Sequence, residues 1–374
     1  MNLRSFLFLF FTAVLLAGCG GDDAAPPPES RDALLRRFMP QAMADGVVKI
    51  AAIINLTDGD FSRQFLRGCA EEGAALGFRV ETFCTGGDDE QCQELLRKII
   101  AADYDGIILS HGGNDWAYRA LAPAVSKGIK VVTFDTLPYP DADDRQPILT
   151  GVTATAQEDT YLAELSLAAL VGSFPAERRP LRVIRVSCPP GILPLDRRQR
   201  IYDRYVASGD IKEVAFVTPA SIAQAREGAA ASLAKTLPQL PVGAADAIWA
   251  PYDELAKGAL AALLAANRRD LPLFSVDISN EDLQLMQQNP LVWRATAAVD
   301  PQLIGIGEVR ILAAKFAGEK NFDTYVFSAQ LLYAADLKKD TRMENLVTRV
   351  NGWEKERGLI DDYLWMIEIK RAAK

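Results

Sequence analysis

One stretch sets the limits on what this chain can fold into. From Asp105 to Thr136 it reads DGIILSHGGNDWAYRALAPAVSKGIKVVTFDT: an apolar run, a polar break, an amphipathic run, a second apolar run and a second break. Ile107 to Leu109 and Val131 to Phe134 are too continuously apolar for strands with one wet face, and suit strands covered on both sides. Between them Trp116, Leu121, Ala124 and Val125 recur at helical spacing, and Gly128 ends the helix. The pattern predicts one strand–helix–strand unit of a parallel sheet, joined by a right-handed crossover. Its polar residues, Ser110 to Asp115 and Asp135 with Thr136, fall where the strands end. In open α/β sheets that edge is where ligands sit.

The same alternation runs through the rest of the chain. Strands are expected at 47–55, 78–84, 181–186, 211–217, 247–250, 273–276 and 293–298, with helices at 61–76, 88–102, 158–170, 197–206, 221–237, 253–266, 280–288 and 301–317. A Pro- and Asp-rich connection, Pro138 to Pro147, divides the series. With 374 residues there is chain enough for two cores. The fold class expected is α/β: two doubly wound parallel-sheet lobes. The tail 339–374 is charged and partly helical, and nothing in it assigns a role.

Composition removes several function classes. A net charge of −8 argues against a general nucleic-acid binder. His111 is the sole histidine, so paired-histidine metal sites and most catalytic triads are unavailable. No phosphate-binding glycine loop and no Ser nucleophile elbow is present, so the chain does not read as an enzyme. No cysteine spacing matches a metal cluster, and no cofactor is expected. Cys84 and Cys92 flank a Thr-Gly-Gly-Asp-Asp turn and are expected to pair, leaving Cys69 and Cys188 as thiols.

At the N-terminus Arg4 precedes a run from Phe6 to Leu16 that is apolar except for Thr12, too short for a stable membrane span. Leu16-Ala17-Gly18-Cys19 follows and resembles the bacterial lipobox. The resemblance implies a signal peptide at 1–18, lipid on Cys19, membrane anchoring in the bacterial envelope facing the periplasm, and a tether over 19–46.

KIAAII, FSRQFLRGCAEEGAALGFRV, DGIILS, KGIKVVTFDT, AIWAPYDELAKGALAAL, LFSVDIS and ATAAVDPQLIGIGEV follow one another in an order that resembles the ribose- and galactose-type periplasmic binding proteins of ABC importers. The resemblance covers about 47–328 and implies the type I fold: two lobes joined by a hinge, with ligand held between them. It divides the chain into 47–151 plus 300–325 and 152–299 plus 326–338. Repressors that share the fold carry a helix-turn-helix where this chain has its leader. The implied activity is capture of a small molecule by a monomer that delivers it to an ABC permease. A sensor subunit for a kinase or chemoreceptor, and a carrier of an aromatic, terpenoid or sterol-like ligand, are the alternatives.

The family pattern places a stacking aromatic at Phe61, ligand-binding carboxylates at Asp135 and Asp277, and a loop arginine at Arg197 or Arg198, with Arg197 preferred. Asp58, Asn114, Asp253 and Asp300 complete the polar candidates; Asp253 also fits a helix cap. Thr136 stands where the family has Arg, Tyr252 where it has Asn, Val299 near an expected Gln and Val276 near an expected aromatic. The loop Cys188 to Leu195, including Leu193, is more apolar than a sugar site requires. With His111, Trp116 and Tyr252 added, these departures predict an apolar lining with one or two polar handles. A sugar buried without its readers would leave polar groups unpaired at about 1–3 kcal/mol each.

Overall fold

The computed structural model describes residues 33, 37–44, 46–142, 146–320, 324–349 and 363–372. The expected signal peptide, Cys19 and most of the tether lie outside them. In chain order the elements are β1 (Lys49–Ile54), α1 (Asp60–Ala75), β2 (Arg79–Cys84), α2 (Asp89–Ala101), β3 (Gly106–Ser110), α3 (Asn114–Ser126), β4 (Lys130–Phe134) and β5 (Val152–Gln157). Then come α4 (Asp159–Gly172), β6 (Leu181–Val186), α5 (Leu193–Ala207), β7 (Ile211–Val217), α6 (Ala225–Thr236), β8 (Ala247–Ala250), α7 (Asp253–Ala265), β9 (Leu273–Val276), α8 (Asn280–Gln288) and β10 (Trp293–Ala298). The last are α9 (Pro301–Phe316), β11 (Thr324–Phe327), β12 (Gln330–Tyr333), α10 (Met343–Arg349) and α11 (Leu364–Ala372).

The strands form two six-stranded sheets, ordered β11-β5-β4-β3-β1-β2 and β12-β10-β9-β8-β6-β7. Every pairing is parallel except β10 with β12. The apolar runs are buried on both faces, as parallel strands require. On β1, Ile50, Ala52 and Ile54 join one core cluster with Phe65, Cys69 and Ile304, while Ala51 and Ile53 join another with Leu96, Leu109 and Leu121. The period-two alternation thus feeds two helix layers, one on each side of the sheet. On the first side α1 and α9 meet backbone to backbone. A Cβ at Gly68 would lie 2.1 Å from the Gln302 carbonyl oxygen, and one at Gly305 would lie 2.1 Å from that of Phe65. Only glycine permits that approach.

The chain passes between the sheets after β5, after β10 and after β11. Two expected boundaries shift accordingly. Val152–Gln157 pairs with β4 in the first sheet, so the first crossing follows Gln157 rather than Gly151. β11 pairs with β5 along its whole length, so a division between Tyr325 and Val326 would cut a strand. α5 begins at Leu193, not Arg197, because Pro194 sits in the first turn, where no amide donor is needed.

The expected Cys84–Cys92 disulfide is absent; the described cysteines are free thiols. Cys84 is exposed at the end of β2 and its Sγ donates to the Leu56 carbonyl at 3.2 Å, whereas Cys92 is buried on the inner face of α2. In the C-terminal extension, Met366 and Ile369 of α11 are fully buried against the first lobe, and Lys370 pairs with Glu72 of α1. No helix among the described residues is long and apolar enough to cross a membrane.

Candidate functional site

Three non-glycine residues at strand ends are left-handed: His111 after β3 (φ 58°), Asp135 after β4 (φ 47°) and Asp277 after β9 (φ 75°). Such geometry costs on the order of 1–3 kcal/mol and persists where the surroundings over-determine it. All three lie on the sheet edges that face the cleft, and they anchor the site.

On the first lobe, the side chain of Asp135 is buried, and its Oδ1 accepts from the Gln157 amide at 3.3 Å. Its Oδ2 has no hydrogen-bond partner among the described residues, and neither has the buried Gln157 Oε1. His111 Nε2 lies 3.6 Å from that Oδ2, while its Nδ1 and the Ser110 hydroxyl are 2.7 Å apart. Burial, assisted by the charge of Arg198, pushes the His111 pKa down to about 3, so the ring is neutral. Burial, with the Asp159 charge adding to it, pushes the Asp135 carboxyl well above the ordinary range. An aromatic corner flanks these groups: Phe61 meets His111 edge-on at 5.7 Å and stacks over Phe134 at 6.3 Å.

On the second lobe the centre is Arg198. Its Nε donates to Asp159 Oδ1 at 3.1 Å and its Nη1 to the Pro251 carbonyl at 2.6 Å, while Nη1 and Nη2 reach Asp277 Oδ2 and Oδ1 at 2.8 and 3.1 Å. Four of the five guanidinium donors are therefore committed among the described residues. Arg197 Nη1 reaches the other Asp159 oxygen at 3.2 Å. Burial raises the Asp277 carboxyl against the opposing pull of Arg198. The walls of the two lobes face each other, with Asp60 Oδ2 of the first 3.6 Å from Lys257 Nζ of the second.

Of the residues expected from sequence, the structure brings Phe61, His111, Asp135, Arg197 and Asp277 together. The others serve elsewhere. Asn114 Oδ1 accepts from the Leu137 amide at 2.7 Å, and Thr136 Oγ1 accepts from the Gly112 amide at 2.7 Å, so both hold the loops. Trp116 is in the core beneath the Ser110–Gly113 loop, where a Cβ at Gly113 would lie 2.4 Å from its Nε1. Asp253 accepts from the Glu254 amide at 2.8 Å and from Lys257 Nζ at 2.9 Å. Asp300 caps α9, accepting from the amides of Gln302 and Leu303 at 2.9 and 3.1 Å. Tyr252 stands at the N-cap position of α7 without a side-chain cap bond and packs, partly buried, against the second lobe's core. Asp58 is exposed beside Arg63, and Leu193 is exposed at the start of α5.

Within the Cys188–Leu195 stretch, Cys188 and Leu195 pack into the second lobe's core with Ile192 against it, whereas Leu193 is exposed. Sequence reasoning missed Asp159 and Gln157 and preferred Arg197 over Arg198. A signal for Arg198 was present, since Leu195, Arg198, Ile201 and Tyr202 share the buried face of α5. Asp159 sits in the first turn of α4, where an acid is favoured by the helix dipole alone and so gives no signal of a site. Among the described residues no group of three or more His, Cys, Asp or Glu side chains could hold a metal ion. The arrangement supplies acceptors, a committed guanidinium and an aromatic face, which suits recognition of a donor-bearing ligand.

A family model described as periplasmic binding protein domain matches residues 50–320. A sugar ABC transporter structure from Yersinia enterocolitica subsp. enterocolitica 8081 is 33% identical, with 89% of this chain and 98% of that one covered, at a TM-score of 0.79. A 5-methylthioribose transporter solute binding protein from Thermotoga lettingae TMO, in complex with 5-methylthioribose, is 27% identical over 87% of this chain and 98% of its own, at 0.72. A glucose-galactose binding protein from Geobacillus stearothermophilus, 20% identical over 78% and 99% at 0.64, shares the fold. The chain matches no curated protein.

Proposed function

The chain belongs to the periplasmic binding proteins of the ribose and galactose type, and from that premise we propose that it captures an uncharged sugar derivative with an apolar substituent for an ABC importer. One observation carries the ligand class: the buried Asp135 Oδ2, without a hydrogen-bond partner among the described residues, beside the Phe61–His111 corner. A ligand hydroxyl donating to that oxygen supplies the missing bond, and an apolar group packs on the rings. 5-Methylthioribose, bound by the Thermotoga lettingae protein, combines hydroxyls with a methylthio group and is the natural first candidate. An anionic sugar fits poorly, because Arg198 is already committed to Asp159 and Asp277.

The lobes close because ligand touches both, and its differential affinity for the closed form sets the population shift. No covalent step is involved. In this reading the protein is a monomer anchored through lipidated Cys19, and it hands its ligand to the permease. A terpenoid or sterol carrier is disfavoured by the charged centre of the cleft. The test is a thermal-shift and calorimetric comparison of 5-methylthioribose, ribose, galactose and myo-inositol. At a hundred times its dissociation constant a true ligand stabilises by about 2.7 kcal/mol. The expected order puts 5-methylthioribose above ribose; a chain stabilised by apolar metabolites and by none of these sugars would overturn the reading.

A further inference from the structure

Beside the ligand-facing groups, the cleft rim holds a charged cluster that the proposed binding mode does not use. Lys257 of α7 has 1% of its side chain exposed, and its Nζ lies 2.7 Å from Glu254 Oε1, 2.9 Å from Asp253 Oδ2, 3.3 Å from Asp282 Oδ1 and 3.8 Å from Glu281 Oε2. These four carboxylates stand on the second lobe. A fifth, Asp60 Oδ2, approaches to 3.6 Å from the start of α1 on the first lobe. Glu254 and Glu281 are in turn paired with Arg226, each at 2.7 Å.

The asymmetry between the partners matters. Lys257 is compensated several times over within its own lobe, so it stays an ammonium without Asp60. Asp60 has Arg63 on its own helix, and gains Lys257 only across the cleft. Burial works against its charged form, yet Arg63, Lys257 and Ser279 together hold its carboxyl below the ordinary range. Asp60 also immediately precedes Phe61 of the aromatic corner, so the contact and the ligand wall separate together when the lobes part.

We propose that Asp60 and Lys257 form a latch across the lobes, in which a preorganised ammonium of the second lobe captures a carboxylate of the first at each closure and holds the empty protein toward the closed form. The latch adds to whatever the ligand contributes, so it slows ligand release as well. A groove of about 320 Å³, lined by Asp60, Arg63, Arg226, Tyr252, Glu254 and Glu281 among others, runs beside the pair. The inference rests on the two-lobed reading but not on the ligand's identity, so a failed sugar screen leaves it standing.

The experiment uses the ligand-free full chain with Cys84 replaced by Ser and spin labels at exposed Arg97 on the first lobe and Leu291 on the second. Pulsed dipolar spectroscopy then reads the distribution of interlobe distances. Asp60→Asn is expected to shift the closed-to-open ratio toward open by roughly fivefold, and Asp60→Lys further still. Unchanged distributions in both variants would overturn the latch. In a Lys257→Met background the effect of Asp60→Asn should vanish, and an undiminished effect would equally overturn it. Should Lys257→Met fail to fold, Asp60→Asn decides the question, since Asp60 is partly exposed and the amide buries no unpaired charge.

Discussion

Arg198 and Asp277 grip each other at two points, Nη1 to Oδ2 at 2.8 Å and Nη2 to Oδ1 at 3.1 Å, and both side chains are buried. The pair fastens α5 to the end of β9 and, through the third contact to Asp159, to the first crossing between the lobes. A planar guanidinium matches a carboxylate in a way an ammonium cannot. Truncating Asp277 strips the buried guanidinium of its two-point partner and leaves it Asp159 as its remaining carboxylate. Asp277→Ala should therefore lower the unfolding free energy by about 3–5 kcal/mol in a urea titration. A midpoint unmoved from the native value would show that the pair is not structurally important.

Asp135 is expected to trade stability for binding. Its folded pKa is raised by burial, so the folded state binds more protons than the unfolded chain above the ordinary carboxylate range of about 3.9. The associated stability is present below that range and is lost as pH rises through the elevated folded value. Asp135→Asn removes the penalty while weakening the acceptor. The variant should melt no lower than the native protein at pH 7, and should bind its sugar about 10- to 100-fold more weakly. Calorimetric titration together with a melting curve reads both quantities. Unchanged affinity would move the ligand away from Asp135.

His111 carries the opposite slope. Burial lowers its pKa to about 3, so between there and the ordinary 6.5 the folded state binds fewer protons than the unfolded one. Its contribution is fully present above pH 6.5 and declines as pH falls, by up to about 1.4 kcal/mol per unit. Asn tolerates the left-handed backbone here and does not titrate. His111→Asn should lose about 2 kcal/mol less than the native chain between pH 7.5 and pH 5 in unfolding titrations. Parallel losses would mean that His111 is protonated in the fold.

The lobes were legible from sequence because strands buried on both faces leave runs such as Ile50–Ile54 and Ile107–Leu109 that no other architecture covers so fully. Asp135 and Asp277 were legible because they close those runs. What sequence could not show is which polar side chains turn inward. Asn114, Thr136 and Asp300 have the right chemistry for a ligand, but each is bound to a backbone amide a few residues or one loop away. Arg198 was obscured by Arg197, its neighbour in sequence, because a one-residue change turns a helical side chain by about 100° and only the phase of the buried face separates them. The apolar loop poses a related difficulty. Leu195 is apolar because it packs inside a lobe, and composition does not distinguish that surface from a cleft.

The cysteines put the same point to a chemical test. Thiolate is the reactive form, and burial raises the thiol pKa of Cys92 and of Cys188 to about 11 and that of Cys69 well above its ordinary value. Cys84 is exposed at the end of β2, its Sγ near the Leu56 carbonyl. On a chain starting after Cys19, a thiol reagent at pH 8 should therefore modify Cys84 rapidly in the native protein and the other three only on unfolding. Denatured, unreduced protein should give the signal of all four thiols. If two thiols are missing under those conditions and reappear with reductant, Cys84 and Cys92 are bridged after all, and the β2–α2 turn must then close more tightly than the free-thiol geometry allows.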